Sequence, residues 1–306
     1  MSPSAELHYK TIVELAPLIE SRELSPVDLT QEMLDRIELL DGTLKAYATL
    51  TPELALDQAR QAEQEIIEGN YRGPLHGIPI GVKDLCSTAG IRTMGGSAVF
   101  ANNMPDFDST VVARLESAGA VLLGKLNLTE GAMGGYNPDF QIPINPWNSE
   151  CWTGSSSSGS GVATAAGLCF GSLGSDTGGS VRIPPALCGI VGLKPTYGLV
   201  SRFGLTPLSW SLDHPGPMVR TVEDAALAMN VMAGHDPKDV ASAKVDVPDY
   251  TTALTGDVRG LRIGVPEEYF DAPLDPQVGQ AVRDALDLLE SMGTVGKPVS
   301  FPMFKD

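Results

Sequence analysis

Between residues 153 and 189 the chain reads T-G-S-S-S-S-G-S-G-V-A-T-A-A-G-L-C-F-G-S-L-G-S-D-T-G-G-S-V-R-I-P-P-A-L-C-G. Small residues, hydroxyls and glycines surround two short apolar segments, and the only charges are Asp176 and Arg182. Glycine lets a backbone approach another group closely or adopt positive φ. Successive N–H groups in such turns can converge into an anion-binding nest. A flexible Ser/Gly linker would be polar throughout. Here the serines lead straight into V-A-T-A-A-G-L-C-F-G and V-R-I-P-P-A-L-C-G-I-V-G-L, segments that a fold buries. The stretch therefore reads as hydroxyls presented to a reacting centre, with the backbone donors of a D-T-G-G-S turn beside them.

A chain of 306 residues can bury such a stretch in one large α/β domain. The net charge of −17 argues against a nucleic-acid partner, which would need clustered Lys and Arg, and against docking on anionic membrane. Its main consequence is solubility. No run approaches the ~20 apolar residues of a membrane helix. The start M-S-P-S-A-E-L-H-Y-K lacks the basic and apolar pattern of a secretory leader, so the cytoplasm is expected. Cys86, Cys151, Cys169 and Cys188 are widely spaced, without a C-x-x-C pair or a histidine to complete a zinc site. They are expected as small buried hydrophobes in a reducing compartment, and neither a metal nor a cofactor is expected.

Thr11 and Glu14 fit a capping box for a short helix reaching about residue 19. Ser25-Pro26 sets an N-cap before a proline at the first helical position. Leu29, Met33, Ile37 and Leu40 then recur at helical spacing. Thr51-Pro52 repeats the signal for a helix to about residue 69, and residues 44–50 suit a strand. Ile78, Ile80 and Val82 predict a strand ending at Lys83-Asp84. Residues 109–119 read as a helix, 120–125 as a strand, and Leu128 as the next helix start. A helix over 162–168, with Ser160 or a nearby serine at its N-terminus, precedes a strand over 170–173. Thr221 opens a helix ending near Gly234, and 261–265 read as a strand. Asp275-Pro276 starts a helix with Val278, Val282, Leu286 and Leu289 on one face. Strands alternating with helices predict an α/β sheet. No internal repeat is visible, and residues 234–255 read as a polar, linker-like connection.

Several chemistries are excluded directly. No G-x-S-x-G elbow, S-x-x-K pair, G-x-x-x-x-G-K-[ST] or G-x-G-x-x-G occurs. His8, His76, His214 and His235 offer no motif for a Ser–His–Asp relay, and His76 and His214 read as loop or pocket-wall residues. What remains is serine with a lysine base, because serine is a weak nucleophile until a neighbour takes its proton. A lysine where a buried strand emerges can lose hydration and with it basicity. Lys83, Lys125 and Lys194 all fit that description, and spacing alone does not rank them.

The stretch resembles the signature of the amidase signature family, whose members hydrolyse or transfer amides through a Ser–cis-Ser–Lys triad. The resemblance continues upstream through G-I-P-I-G-V-K-D (77–84) and G-K-L-N-L-T-E (124–130). Downstream it takes in G-L-K-P-T-Y-G-L-V-S-R (192–202) and S-L-D-H-P-G-P-M (211–218). It implies a central mixed β-sheet covered by helices on both faces. The whole chain, 1–306, would then be a single such domain, with N-terminal helices over 1–70 and a catalytic core over 71–235. Residues 256–306 would begin a C-terminal region whose remainder is missing. The resemblance also implies Lys83 as base, Ser156 as the cis-peptide serine and Ser180 as nucleophile, 24 residues after Ser156. The N–H groups of Thr177, Gly178, Gly179 and Ser180 would form the oxyanion hole. Ser157 would support the network by hydrogen bonding, Asp176 and Arg182 would brace the turn by charge pairing, and Ala132, Met133 and Gly134 would line the acyl side of the pocket. The partner is then a small-molecule amide, with a homo-oligomer compatible.

Two departures qualify the match. The family's run usually reads G-G-S-S-G-G-S, and here Ser155 and Ser158 replace two glycines; a one-residue slip would make Ser155 or Ser157 the cis serine. Family members also usually continue well past this length. Three functions follow from the resemblance: an amidase acting on a small linear amide, the glutamine-hydrolysing component of a tRNA-dependent amidotransferase, or an inactive truncated homologue.

Overall fold

The computed structural model describes residues 7–268 and 274–305, with side chains through 303. The first six residues of the N-terminal stretch read for a leader lie outside them. The chain divides into two compact units, Met1–Thr251 and Thr252–Asp306.

In the first unit, helices begin where the sequence places caps. Thr11 closes a reciprocal capping box with Glu14 to start α1 (Ile12–Glu20). The Ser25 hydroxyl accepts the N–H groups of Val27 and Asp28 at the head of α2 (Pro26–Leu44). Strand β1 (Tyr47–Leu50) follows, then α3 (Pro52–Ile67), whose Thr51 makes no side-chain cap because its hydroxyl donates to Leu122 O. The order continues with β2 (Pro79–Lys83), α4 (Thr110–Ser117), β3 (Val121–Leu126), α5 (Ser158–Ala165) and β4 (Gly171–Asp176). It ends with α6 (Ile183–Cys188), β5 (Val191–Gly192), β6 (His214–Val219) and α7 (Val222–Met232).

Six strands form one mixed sheet in the order β1-β3-β2-β4-β6-β5. β2 runs parallel to both β3 and β4, while β1, β5 and β6 are antiparallel to their neighbours. One face sets Ile80, Leu173 and Val219 against Leu115 of α4 and against Ala228 and Met232 of α7. On the other, the Ser172 hydroxyl donates to Ser160 O of α5 and lies 2.8 Å from the Thr164 hydroxyl. The parallel β2 and β4 are buried along their whole length, as crossover-covered strands are. Lys83 and Asp176 thus end neighbouring parallel strands at the same edge of the sheet.

Four expectations are corrected. Leu128 does not open a helix: only the 3-10 turn Glu130–Ala132 forms, because Gly131 and Ala132 hold φ of 58° and 61°. The strand read over 170–173 runs on to Asp176, and α5 begins at Ser158. Residues 234–255 are not a loose connection: Asp239 holds a buried ion pair with Arg202, and Asp236 accepts the hydroxyls of Ser201 and Thr110. Cys86, Cys169 and Cys188 are buried, but Cys151 is exposed.

The second unit pairs β7 (Arg262–Pro266) in parallel with β8 (Val295–Val299), joined by α8 (Pro276–Ser291), which Asp275 caps. The helix forms where Asp275-Pro276 places it, and on its apolar stripe Val278 and Val282 are exposed. Among the described residues, no helix is long and apolar enough to cross a membrane.

Gly159 fixes where α5 starts. A Cβ there would lie 2.5 Å from Ala46 O and 2.6 Å from the backbone N and O of Asn127, and Asn127 N–H itself donates to Ala46 O. Backbone cannot yield as a flexible side chain can, and overpacking of this kind costs about 1–3 kcal/mol. Gly159→Ala should therefore lower unfolding stability by about 2 kcal/mol, read as a fall in Tm, whereas alanine at the open, positive-φ-free Gly42 should not.

Candidate active site

Lys83 closes β2 with its side chain fully buried. Its Nζ lies 2.7 Å from Ser156 Oγ, 2.9 Å from Ser157 Oγ and 2.9 Å from Ser175 Oγ. Three elements meet here: the end of β2, the turn into α5 and the end of β4. Burial lowers the Lys83 pKa from 10.5 to about 7, against a weaker upward pull from Cys86, Asp176 and Asp213. None of the hydrogen-bond partners is a carboxylate, so nothing in contact compensates a positive charge.

The proton inventory orders the hydroxyls. Ser157 Oγ donates to Ser175 O at 3.1 Å and accepts the Ser175 N–H at 3.2 Å. Its single proton is committed, so towards Lys83 it only accepts. That commitment also explains why Ser157, the N-cap of α5, makes no side-chain cap bond. Ser156 and Ser175 keep hydroxyl protons that a neutral amine can receive. The peptide bond between Ser155 and Ser156 is cis, and Ser156 is fully buried.

Asp176, at the end of β4, is buried under a two-point ion pair, with Arg182 Nε and Nη2 each 3.0 Å from a carboxylate oxygen. Burial alone would raise its pKa, but Arg182 and the N–H groups of Val181 and Gly179 hold the carboxyl below the usual range. One consequence corrects the expected oxyanion hole: Gly179 N–H donates to Asp176 Oδ1 at 2.8 Å and is occupied. Among the described residues, the N–H groups of Thr177, Gly178 and Ser180 have no acceptor. Ser180 sits half-buried in this turn, and its hydroxyl makes no hydrogen bond to Ser156 or to any other described residue.

Ala132 is buried beside the site, whereas Met133 and Gly134 are exposed. Met133 O accepts the Ser155 hydroxyl at 3.3 Å, and Tyr136 donates to Ser158 Oγ at 2.7 Å. The two serines that depart from the usual glycines thus tie the serine run to the 129–136 loop. Of the other lysines, Lys125 is buried among Cys86 O, Thr88 Oγ1 and Thr93 Oγ1, while Lys194 donates to Pro195 O. His76 is buried against Glu65, with Nε2 3.2 Å from Oε2, and His214 meets the Tyr197 ring edge-on. No histidine contacts the Lys83 cluster among the described residues. Ser175 was not anticipated; its signal was adjacency to the D-T-G-G-S turn at the end of a strand that its serines and glycines disguised.

The amidase family model matches residues 28–306. The glutamyl-tRNA(Gln) amidotransferase A chain of Carboxydothermus hydrogenoformans is 49% identical over 302 residues, covering 98% of this chain and 62% of that protein. The putative amidase AmiD of Mycobacterium tuberculosis is 52% identical over 284 residues, covering 92% and 59%. The solved native peptide amidase of Stenotrophomonas maltophilia superposes with a TM-score of 0.88 at 39% identity, covering 98% of this chain and 63% of that one. The chain belongs to the amidase family and has the amidase signature fold. It spans about 60% of the length of the curated relatives it matches.

A buried lysine of lowered pKa links stability to pH. In the unfolded chain Lys83 binds its proton up to about 10.5, in the folded chain only up to about 7. Below pH 7 the folded state carries the whole penalty of a buried ammonium. Between 7 and 10.5 the unfolded state holds more protons, so stability rises with pH. Relative to Lys83→Met, the native chain should gain roughly 2 kcal/mol between pH 7 and 9, measured by urea unfolding at both.

Proposed function

We propose that this chain carries the catalytic machinery of an amidase, cleaving a carboxylic amide to an acid and ammonia or an amine through a serine acyl-enzyme. The observation that supports this reading best is the Lys83 amine, buried among three serine hydroxyls with no carboxylate in contact. A neutral amine at pH 7 is a competent base, and general base catalysis is most effective when the pKa lies near the working pH.

In this mechanism Lys83 takes the Ser156 proton as Ser156 takes that of Ser180. The Ser180 oxygen attacks the amide carbon, and the carbonyl becomes an oxyanion facing the N–H groups of Thr177, Gly178 and Ser180. Such donors contribute about 10²–10³ in rate each. The Lys83 ammonium returns its proton through Ser156 to the leaving nitrogen, and the C–N bond breaks. Water, deprotonated along the same route, then attacks the acyl-enzyme and releases the acid and the Ser180 hydroxyl. Ser157 holds Lys83 and β4 in register, and the Asp176–Arg182 pair holds the turn. The half-buried Ser180 hydroxyl comes within reach of Ser156 when substrate is bound, as catalytic contacts that are loose in the free enzyme do. The exposed Cys151 thiol fits a reducing compartment, and the cytoplasm is the proposed setting.

Identity to the A chain of an amidotransferase supports a second reading, glutamine hydrolysis feeding a partner. It predicts glutaminase activity only when the partner proteins and tRNA are present.

The test is covalent labelling with a fluorophosphonate and mapping of the adduct by mass spectrometry. Ser180 should carry the label, its rate should rise with pH to a plateau above about 7, and Lys83→Ala should slow it at least ~100-fold. A folded chain that stays unlabelled, or is labelled elsewhere, overturns the proposal.

A further inference from the structure

Strand β6 runs antiparallel beside β4, with Asp176 opposite His214. One further step of that register sets Thr177, the first residue of the turn beyond β4, opposite Asp213. Asp213 is buried, and its Oδ1 accepts the Thr177 hydroxyl at 2.6 Å, the short contact of an O–H with a carboxylate. The loop that leads into β6 holds the same carboxylate: Leu208 N–H donates to Oδ2 at 2.9 Å, and Ser209 N–H reaches both oxygens at 3.0 and 2.9 Å. Asp213 N–H donates back to Ser209 O at 2.9 Å and closes that loop. A threonine hydroxyl has one proton, and here it is committed to Asp213. The turn is thus held from two sides. Asp176 gathers the Gly179 and Val181 N–H groups, and Asp213 takes the side chain at the turn's other end. Donors aimed at an oxyanion contribute fully only when they are fixed before the charge develops.

Asp213 also bears on the amine. Against the burial that lowers the Lys83 pKa, Cys86, Asp176 and Asp213 pull it upward. Burial pushes the Cys86 thiol itself up to about 12, so the negative charges are those of the two aspartates. Asp176 is paired with Arg182, whereas Asp213 makes no ion pair among the described residues. Arg202, the cation that feels its charge, is itself paired with Asp239.

Building on the amidase reading, we propose that Asp213 is a positioning residue for this site. Through the Thr177 hydroxyl it fixes the free amides of the turn, and its charge steadies the ammonium that Lys83 becomes while the proton is held. The first role lies in geometry and the second in charge, so two substitutions separate them.

The experiment measures the rate of fluorophosphonate labelling of Ser180 against pH, in variants first shown to be folded by urea unfolding. The Ser180 Oγ–P bond forms as fluoride leaves, and the phosphonyl oxygen faces the same amides. Thr177→Val removes the hydroxyl and keeps the Asp213 charge: the plateau rate should fall about tenfold, with the pH of half-plateau unchanged. Thr177→Ser, which restores the hydroxyl, should recover most of that loss. Asp213→Asn removes the charge, so that Lys83 is neutral at lower pH: the fraction of its own plateau rate reached at about pH 6 should rise about twofold or more. Where Asp213→Asn does not fold, Asp213→Ser, smaller and uncharged, takes its place. A brace that served stability alone would leave the rate of the folded enzyme intact. A folded Thr177→Val that labels at the native plateau rate, or an uncharged residue 213 with an unmoved half-plateau pH, would therefore overturn this proposal. Failure of the amidase reading looks different: the native chain itself takes no adduct on Ser180.

Discussion

A primary amine held out of water among hydroxyls is the constraint on which the rest of this site depends. Desolvation disfavours the ammonium, and the three serines offer a neutral amine both acceptors and a donor. The partners come from two parts of the chain, the turn into α5 and the end of β4, so the amine is only as well placed as the sheet is in register. β2 pairs in parallel with β4, Val82 opposite Leu173, and that pairing carries Lys83 up to Ser175. The Ser157 side chain then clasps the Ser175 backbone on both its N–H and its carbonyl. Slipping β2 by one residue would turn Lys83 to the opposite face, and slipping β4 would turn Ser175 away from it.

Close approach of backbones makes this geometry accessible, and it explains the density of small residues. At Gly174 a Cβ would lie 2.6 Å from Met218 Sδ and 3.0 Å from Ser157 Oγ, pushing against the same hydroxyl that holds Lys83. At Gly192 it would lie 1.9 Å from Val181 O, in the chain leaving the D-T-G-G-S turn. The glycines and serines that look like linker composition are thus the residues thin enough to let α5, β4 and the turn converge. The Asp176–Arg182 pair adds direction: Asp176 gathers Gly179 and Val181 N–H, which orients the intervening turn and leaves its other amides facing outward.

Much of the scaffold was legible because its signals are local. Caps at Thr11, Ser25 and Asp275 and the β-branched run at Ile80 and Val82 act over a few residues, and the elements follow them. What was not legible depended on partners distant in the chain. β6 contains Pro215 and Pro217, which argue against an interior strand. It forms because β5 pairs only with Met218 and Val219, and beyond it Leu193 N–H donates to Pro217 O, a bond that asks no N–H of the proline; among the described residues no strand lies outside the two prolines. β4 reads as a loop by composition and becomes a strand because β2 and β6 flank it. Ala132 takes a left-handed conformation within the turn that ends any helix at Leu128, and nothing in its residue type announces that. Of the site, family likeness pointed to Lys83 and Ser156, which the fold brings into contact. Ser175 and the occupied Gly179 amide show only in the folded arrangement.

The choice among the strand-end lysines shows what spacing could not decide. Lys83 and Lys125 lie on neighbouring strands one residue out of register, Lys125 opposite Val82 and Lys83 opposite Leu126; both are buried, and burial lowers both pKa values. The difference is in the acceptors. Lys125 donates to Cys86 O at 2.5 Å, and a carbonyl can only accept, so the contact favours the protonated amine. Asp84 and Cys86 also pull its pKa upward, and its two threonine partners lie in the loop that follows β2. Lys125 therefore pins the chain just beyond Lys83 through these three contacts. Every partner of Lys83, by contrast, is a hydroxyl, and those of Ser156 and Ser175, whose protons are not committed elsewhere, can reverse their role from acceptor to donor as the amine changes charge. A base must be stable in both protonation states within one turnover. On the proposed mechanism, the Lys83 cluster suits that requirement better than the Lys125 contacts do, because two of its hydroxyls can turn without moving a heavy atom.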